Sequence, residues 1–215
     1  EGGFDPITGL MDTALVTANL LPVISPYLTS PWLIETNDTL ITMPNGVVDW
    51  VIVELRDANN DMLKLTETIG FILADGSLVH TDGSLGVAFQ GVPNNSSYYV
   101  VVRHRNHLDV MSELPLLLPN TPETVYDFTN PTTVLNGLEQ LAQVDSCCYA
   151  LHAGDFNGDG VITVNDYNNY ANETASVNVY KSGDFNLNGS VTVSDFNIYQ
   201  PNASRIGVAQ VRFNE

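Results

Sequence analysis

The chain has 215 residues, 44% of them hydrophobic, so it is long and apolar enough to bury a core, which excludes a disordered protein. Its 25 acidic and 7 basic residues give a formal net charge of −18, so nucleic acid and anionic membrane surfaces are excluded as partners by charge repulsion. No apolar run approaches the roughly 18 residues of a membrane span, so no membrane insertion is expected.

The first two thirds of the chain are predicted to be mainly β. Residues 1–25 are irregular, and beyond them short runs of β-branched and aromatic residues alternate with turn sequences. The strongest runs are 47–55 and 98–104. Short strands separated by turns predict an antiparallel β-sandwich over 1–143, followed by a linker at 144–153.

The chain then repeats itself at an offset of 29 residues. The segment 154–166, Gly-Asp-Phe-Asn-Gly-Asp-Gly-Val-Ile-Thr-Val-Asn-Asp, matches 183–195, and each copy leads into a predicted helix. A repeat in register indicates a duplicated structural unit. We therefore assign residues 154–202 to a small α-helical unit that contains two equivalent loops.

Each copy has the oxygen pattern of a calcium-binding loop. Calcium takes about six to eight oxygens. A twelve-residue loop supplies them from the side chains at positions 1, 3, 5, 9 and 12 and from the carbonyl at position 7. Position 6 is Gly because the loop turns sharply there. The predicted ligands of the first loop are Asp155, Asn157, Asp159, Val161, Thr163 and Asp166. Those of the second loop are Asp184, Asn186, Asn188, Ser190, Thr192 and Asp195. Position 8, Ile162 or Val191, is expected to fill a small core between the loops.

The alternative is a pair of Asx-rich turns that cap helices without a metal. Two copies in register favour the metal, so we predict two bound calcium ions (Ca²⁺). The second loop has Asn188 where the first has Asp159, which is one negative charge fewer. We therefore expect the second loop to bind calcium more weakly.

The two loops resemble the duplicated D-x-N-x-D-G-x-[IV]-x-x-x-D loops of type I dockerins, over about residues 150–200. The resemblance implies an EF-hand-like module folded by two calcium ions, with Asp at the last position instead of the Glu of an EF-hand. Dockerins bind cohesins largely through loop positions 10 and 11. Here these are Val164-Asn165 and Val193-Ser194, not the Ser-Thr pair of many dockerins. A dockerin-type docking module that binds a cohesin-like receptor is therefore an alternative.

The preceding part resembles a β-domain of large secreted surface proteins of Bacteroidota, in segments 3–11, 49–57 and 98–111. The resemblance implies an extracellular protein displayed at a cell surface and names no activity. Two Asp-Thr-aliphatic motifs, at Thr13 and Thr39, resemble the O-glycosylation sites of that phylum.

The C-terminal segment 203–215 is predicted to contain a strand. Two sets of side chains alternate along it as in an amphipathic strand: Val208, Gln210 and Arg212 against Ala209, Val211 and Phe213. In the surface proteins that the N-terminus resembles, such a strand precedes the Gly-x-Phe-Asp segment. Here it could be an ordinary flexible tail, complete its own sheet, complete the sheet of the next molecule, or mark one period of a tandem array. The last two arrangements give an open head-to-tail filament.

Nothing in the sequence supports catalysis. It lacks a nucleophile elbow, a phosphate loop and a His-Glu-x-x-His helix, so we expect the protein not to be an enzyme. The basic cluster at 103–107 could bind a carboxylate or a sulfated glycan, but we favour ion pairs with nearby Asp and Glu residues. Trp32 and the tyrosines could form a sugar platform, which leaves a carbohydrate-binding adhesin as an alternative.

These patterns together predict a calcium-stabilised extracellular structural protein, the subunit or repeat of a surface filament assembled head-to-tail by strand complementation. The expected partner is another copy of the chain. A cohesin-like protein and a glycan are the alternative partners.

Overall fold

The computed structural model describes residues 1–34, 43–118, 125–146 and 148–213. Within them the chain is mainly β, with antiparallel sheets and a few short helices. The strands are β1 (Phe4–Asp5), β2 (Leu10–Met11), β3 (Val47–Asp57), β4 (Asn60–Leu73), β5 (Leu78–His80), β6 (Ser96–His104), β7 (His107–Met111), β8 (Leu116–Leu118), β9 (Leu141–Gln143) and β10 (Tyr149–Leu151). The helices are α1 (Ala14–Thr17), α2 (Gly137–Gln140), α3 (Val164–Glu173) and α4 (Val193–Asn202), and a 3₁₀ helix covers Pro26–Leu28. No helix in the described ranges is long and apolar enough to cross a membrane.

One antiparallel sheet of six strands organises the fold, in the order β5-β4-β3-β6-β7 with β8 beside β6. Its centre is β3, in which ten of eleven residues are buried because both faces of the strand are covered. The mainly β, antiparallel prediction is confirmed. The described residues contain no second sheet of comparable size, since β1–β2 and β9–β10 are two-stranded. The predicted sandwich is therefore not seen in this part of the chain.

The irregular N-terminal segment packs on one face of the large sheet. Trp50 and Phe71 form the centre of this core, with their ring centroids 4.2 Å apart. The Tyr27 hydroxyl donates to the Trp50 carbonyl at 2.8 Å, and the Trp50 indole N–H donates to the Pro22 carbonyl at 3.0 Å. These bonds fix a segment that has little secondary structure of its own.

The segment 144–153, predicted as a linker, is partly a strand. β10 pairs with β9, and the amide of Leu108 in β7 donates to the His152 carbonyl at 2.8 Å. Leu187, from the second predicted loop, lies in the Trp50 core, while Leu108 lies in the core of the helical unit. Residues 154–202 thus share hydrophobic cores with the β domain instead of forming a separate module.

The C-terminal segment does not form the predicted strand over 208–213. The chain turns at 209–211, and Val208 and Val211 are both buried against Val101 and Met111 of the large sheet. A strand would place these two valines on opposite faces, because successive side chains alternate. The turn brings both to the same side, so burial of apolar surface opposes the extended conformation.

Two arginines of the sheet bind the main chain of this tail. Arg103 donates to the Val211 carbonyl at 2.7 Å, and Arg56 donates to the Gln210 carbonyl. The Arg103 guanidinium also lies over the ring of Phe213, 4.6 Å from its centroid. Two of the carbonyls that a strand could use for pairing, those of Gln210 and Val211, are thereby already bound.

Candidate metal centre

Each predicted loop leads into its helix through a threonine cap. Thr163 is the N-cap of α3 and Thr192 is the N-cap of α4, and each forms a capping box with the aspartate three residues on. The Thr163 amide donates to Asp166 Oδ2 at 2.7 Å, and the Thr192 amide donates to Asp195 Oδ2 at 2.8 Å. Loop positions 9 and 12 are therefore held together in both copies.

The glycine at position 6 lets each loop close on its first aspartate. Gly160 has φ +86° and Gly189 has φ +82°, a region that L side chains rarely adopt. The two glycine amides donate to Oδ2 of Asp155 at 3.0 Å and to Oδ2 of Asp184 at 2.8 Å. The same turn is thus built twice.

The last aspartate of each loop reaches back to the loop start. Asp195 Oδ1 accepts hydrogen bonds from the amides of Phe185 at 2.8 Å and Asn186 at 3.1 Å. Asp166 Oδ1 accepts from the Asn157 amide at 3.4 Å. The residues at positions 1, 3 and 12 therefore lie close together, as a bound cation would require.

The carboxylates at the first and last positions are buried. At most 1% of the surface is exposed in each of these four residues: Asp155, Asp166, Asp184 and Asp195. Burial raises the pKa of Asp155 well above its usual range, and neighbouring carboxylates, Asp109 foremost, raise it further. Burial raises the pKa of Asp184 to about 6 although the Arg105 guanidinium acts against it. Both sites are therefore unfavourable for ionised carboxylates that have no cation.

One buried oxygen of the first loop has no partner. Asp155 Oδ2 accepts from Gly160, whereas Oδ1 has no hydrogen-bond partner within the described residues. A buried carboxylate oxygen left unpaired is destabilising, and a hard cation at the loop centre would bind it, so the residues fit calcium. Across the described ranges, no three Asp, Glu, His or Cys side chains converge as a metal cluster, so the three aspartates predicted for the first loop are not brought together as one group. The other predicted donors of both loops are Asn, Thr and main-chain oxygens, which a cluster of those four residue types does not include.

The middle ligands of both loops form Asx turns. The side-chain Oδ1 accepts from the amide two residues on, at 2.9 to 3.2 Å, in Asn157, Asp159, Asn186 and Asn188. Such turns would also be expected of metal-free helix caps. Helix capping also accounts for the aspartates at position 12, but it does not explain the buried carboxylates at position 1, one of which has an oxygen without a partner among the described residues. The two position-7 residues, Val161 and Ser190, lie in isolated bridges to Ile206 and Val177.

Each helix is tied to the loop of the other half by a tyrosine. The Tyr170 hydroxyl of α3 donates to the Thr192 carbonyl at 2.7 Å. The Tyr199 hydroxyl of α4 donates to the Thr163 carbonyl at 2.8 Å. The offset of 29 residues relates these two bonds to each other, so the duplication extends to the tertiary contacts.

The segments that follow the two helices also bond to the loop of the other half. The Ala175 amide, after α3, donates to the Val191 carbonyl of the second loop at 2.9 Å. The Ser204 amide, after α4, donates to the Ile162 carbonyl of the first loop at 2.8 Å. Ile162 and Val191 are fully buried in one core together with Phe185. Position 8 therefore fills the space between the loops.

The basic cluster at 103–107 is structural. Arg103 pairs with Glu54 at 2.9 Å and with Asp109, and Arg105 pairs with Asp49 at 2.9 Å. Burial opposes the ionisation of Asp49, but the Arg105 guanidinium, His104 and the Tyr180 hydroxyl together outweigh it and lower the pKa of that carboxyl. The favoured ion-pair interpretation is confirmed.

Two buried residues near the loops were missed by the sequence reasoning. Asp109, in β7, lies close enough to Asp155 to raise its pKa. Burial raises the pKa of Asp109 itself to about 7 although Arg103 acts against it. Asn106 lies in the β6–β7 turn and bonds to both loop segments. Single polar residues in a hairpin carry no sequence signal of such contacts.

The remaining predicted residues lie apart from the loop centres or at their rim. Thr13 precedes α1, is partly buried and makes no capping hydrogen bond, and Thr39 lies outside the described residues. Trp32 is half-buried against Gly158, where an added Cβ would lie 2.6 Å from the Trp32 ring. Val164 and Val193, at loop position 10, are 69% and 71% exposed.

No protein-family model matches the chain, and no curated protein or solved structure shows significant similarity to it.

Proposed function

We propose that the protein is a calcium-stabilised extracellular structural protein without catalytic activity, in which two calcium ions fix the C-terminal helix pair to the β domain. The observation that carries the proposal is the burial of aspartates at both ends of each loop, one of them with an unpartnered oxygen. Buried carboxylates need a proton or a cation, and calcium suits flexible loops built only from oxygen donors. The extracellular location rests on the resemblance of the sequence to secreted surface proteins.

The charge distribution supports tighter binding at the first loop. That loop carries three carboxylates, at Asp155, Asp159 and Asp166, and the second carries two. The Arg105 guanidinium also lies close enough to Asp184 to oppose the rise of its pKa, so it would repel a cation at the second loop. We therefore expect the second loop to have the lower intrinsic calcium affinity.

Calorimetric titration of calcium into protein stripped of metal tests this proposal. The expected stoichiometry is two ions per chain, with one ion lost in Asp155→Asn and the other lost in Asp184→Asn. Asp127→Asn is the matched control, because this exposed aspartate also accepts from the amide two residues on, at 2.8 Å, but is not in a loop. If calcium causes no heat change and no rise in unfolding temperature, calcium stabilisation is refuted.

We propose a filament as the assembled form, built head-to-tail by exchange of residues 203–213. This tail is held by Arg56 and Arg103 and by burial of Val208 and Val211, all of them non-covalent contacts. The same contacts made to a neighbouring copy would link the chains in an open series. In this form the exchanged tail binds a sheet face and does not add a strand.

Electron microscopy with calcium and after chelation tests the assembly. Regular fibres that fray on chelation would support it, because the start of the tail is bonded to the first loop. Uniform monomers in both conditions would refute the filament and leave a calcium-stabilised monomer.

A docking module is the second candidate, supported by the exposure of Val164 and Val193. These valines begin α3 and α4 and present apolar side chains to solvent at the positions that dockerins use. The candidate predicts a one-to-one complex with a cohesin-like protein that is lost in Val164→Asp/Val193→Asp. Binding that survives this double substitution would contradict it.

A further inference from the structure

The turn between β6 and β7 lies between the two predicted calcium loops. The turn consists of Arg105 and Asn106, and Asn106 is fully buried. The Asn106 carbonyl accepts from the amide of Gly154, the residue before Asp155, at 3.0 Å. Its side-chain Nδ2 donates to the carbonyl of Asp184 at 2.8 Å. Asn106, a residue of the β domain, is therefore bonded to both loops. In the first loop it contacts the residue before the first ligand, and in the second loop it contacts the first ligand itself.

The orientation of the Asn106 amide is fixed from its other end. Its Oδ1 lies 2.8 Å from Nδ1 of His107, so Nδ2 is directed to the second loop, where it also donates to the Ser182 carbonyl at 2.9 Å. A side chain without this donor would leave the buried Asp184 carbonyl and the partly buried Ser182 carbonyl without this hydrogen bond. The contact therefore depends on an amide at this position.

We propose that Asn106 is a positioning residue shared by both loops, and that through it calcium in one loop raises the calcium affinity of the other. Calcium in the first loop orders Asp155 and hence Gly154, which fixes the turn. The fixed turn presents Nδ2 to the carbonyl of Asp184, so the second loop has less conformational freedom to lose when it binds. This inference rests on the proposed binding of two calcium ions.

Calorimetric titration of the full chain tests the coupling, with Asn106→Ala compared with wild type. In wild type the second ion is expected to bind at least about 5-fold more tightly than independent sites would allow. In Asn106→Ala two ions still bind, and this factor falls towards one. Asn168→Ala is the matched control, since Asn168 is exposed on α3 and should keep the full factor.

Independent sites in wild type, or an unchanged factor in Asn106→Ala, would overturn the inference while leaving two-ion binding intact. Absence of calcium binding in wild type would instead refute the proposed function. Hydrogen exchange of wild-type protein provides a readout that does not depend on the variant folding. The amides of Gly160 and Gly189 each donate to the first aspartate of their loop. Coupling predicts that the Gly189 amide already gains part of its protection as the first loop fills. Gly189 protection that appears only at a separate, higher calcium midpoint would contradict coupling.

Discussion

Removal of calcium should reverse the pH dependence of this protein's stability. Without a cation, burial raises the pKa of Asp184 from 3.8 to about 6. The pKa in the folded chain then exceeds that in the unfolded chain. The carboxyl therefore contributes its stability fully below about pH 4, and this contribution is lost as the pH rises through about 6. Since a tenfold change in an ionisation constant corresponds to about 1.4 kcal/mol, ionising Asp184 in place costs about 3 kcal/mol.

With calcium bound, the stability should instead rise with pH, because calcium binds the ionised carboxylates and competes with protons. At a free concentration of about 100 times Kd, each independent ion adds about 2.7 kcal/mol to the free energy of unfolding. This gain is lost at low pH, where the aspartates are protonated. Calcium-bound protein should therefore be more stable at about pH 7.5 than at about pH 5, and calcium-free protein less stable.

Urea unfolding followed by tryptophan fluorescence measures both slopes. The calcium-free samples should be prepared over a chelating resin, because soluble chelators lose affinity at low pH. Between about pH 5 and pH 7.5, Asp184→Asn should remove about 1.4 kcal/mol of the calcium-free pH dependence, whereas Asp127→Asn, at an exposed position, should leave it unchanged. If the free energy of unfolding depended on pH in the same way with and without calcium, the argument that these carboxylates bind a cation would be refuted.

Three further substitutions test the contacts around the loops, each by thermal or urea unfolding with calcium present. Gly160→Ala should lower the free energy of unfolding by more than the roughly 1–2 kcal/mol of backbone strain, because the added Cβ would lie 2.5 Å from Arg212 Cγ. Gly76→Ala is the control: Gly76 has φ +85° and no atom of the described residues lies within 4 Å of an added Cβ, so only the backbone strain should appear. Arg103→Ala should cost about 3–5 kcal/mol, since it leaves the buried Asp109 without its ion-pair partner and Glu54 with Arg56 alone. A loss below about 1 kcal/mol would mean that the network is solvated. Tyr199→Phe should lower the free energy of unfolding by about 1 kcal/mol, because it loses the hydrogen bond to the Thr163 carbonyl. Tyr167→Phe is the control, since Tyr167 is exposed and its substitution should change the stability little. Equal effects of the two substitutions would contradict the assigned bond.

The local structure of the loops could be predicted from the sequence because consecutive residues encode it. Gly160 adopts the positive φ that the sixth loop position requires, and Thr163 caps the following helix. Position 8 is buried between the loops, as its apolar character and spacing predict. The β-rich character of the first part was also readable, because β3 is a long run of β-branched and aromatic residues.

The long-range arrangement could not be predicted, because residues distant in sequence decide it. The alternation in 208–213 is that of a strand, yet the segment turns because Arg56 and Arg103 bind its carbonyls and both valines reach the same apolar surface. The expected linker pairs with β9, which the sequence of 144–153 alone does not indicate. Asn106 is a single asparagine in a tight turn, and only the folded chain brings it between two loops.

The crossed bonds between the two halves bear on how such a unit could arise. The segment after α4 pairs with the first loop and the segment after α3 pairs with the second, so neither loop is completed by its own helix. A lone 29-residue copy would therefore lack the paired segment and the tyrosine that close its loop. Two identical peptides could supply these to each other across a two-fold axis. The present chain has the architecture expected if an ancestral gene encoding such a self-pairing peptide was duplicated and fused.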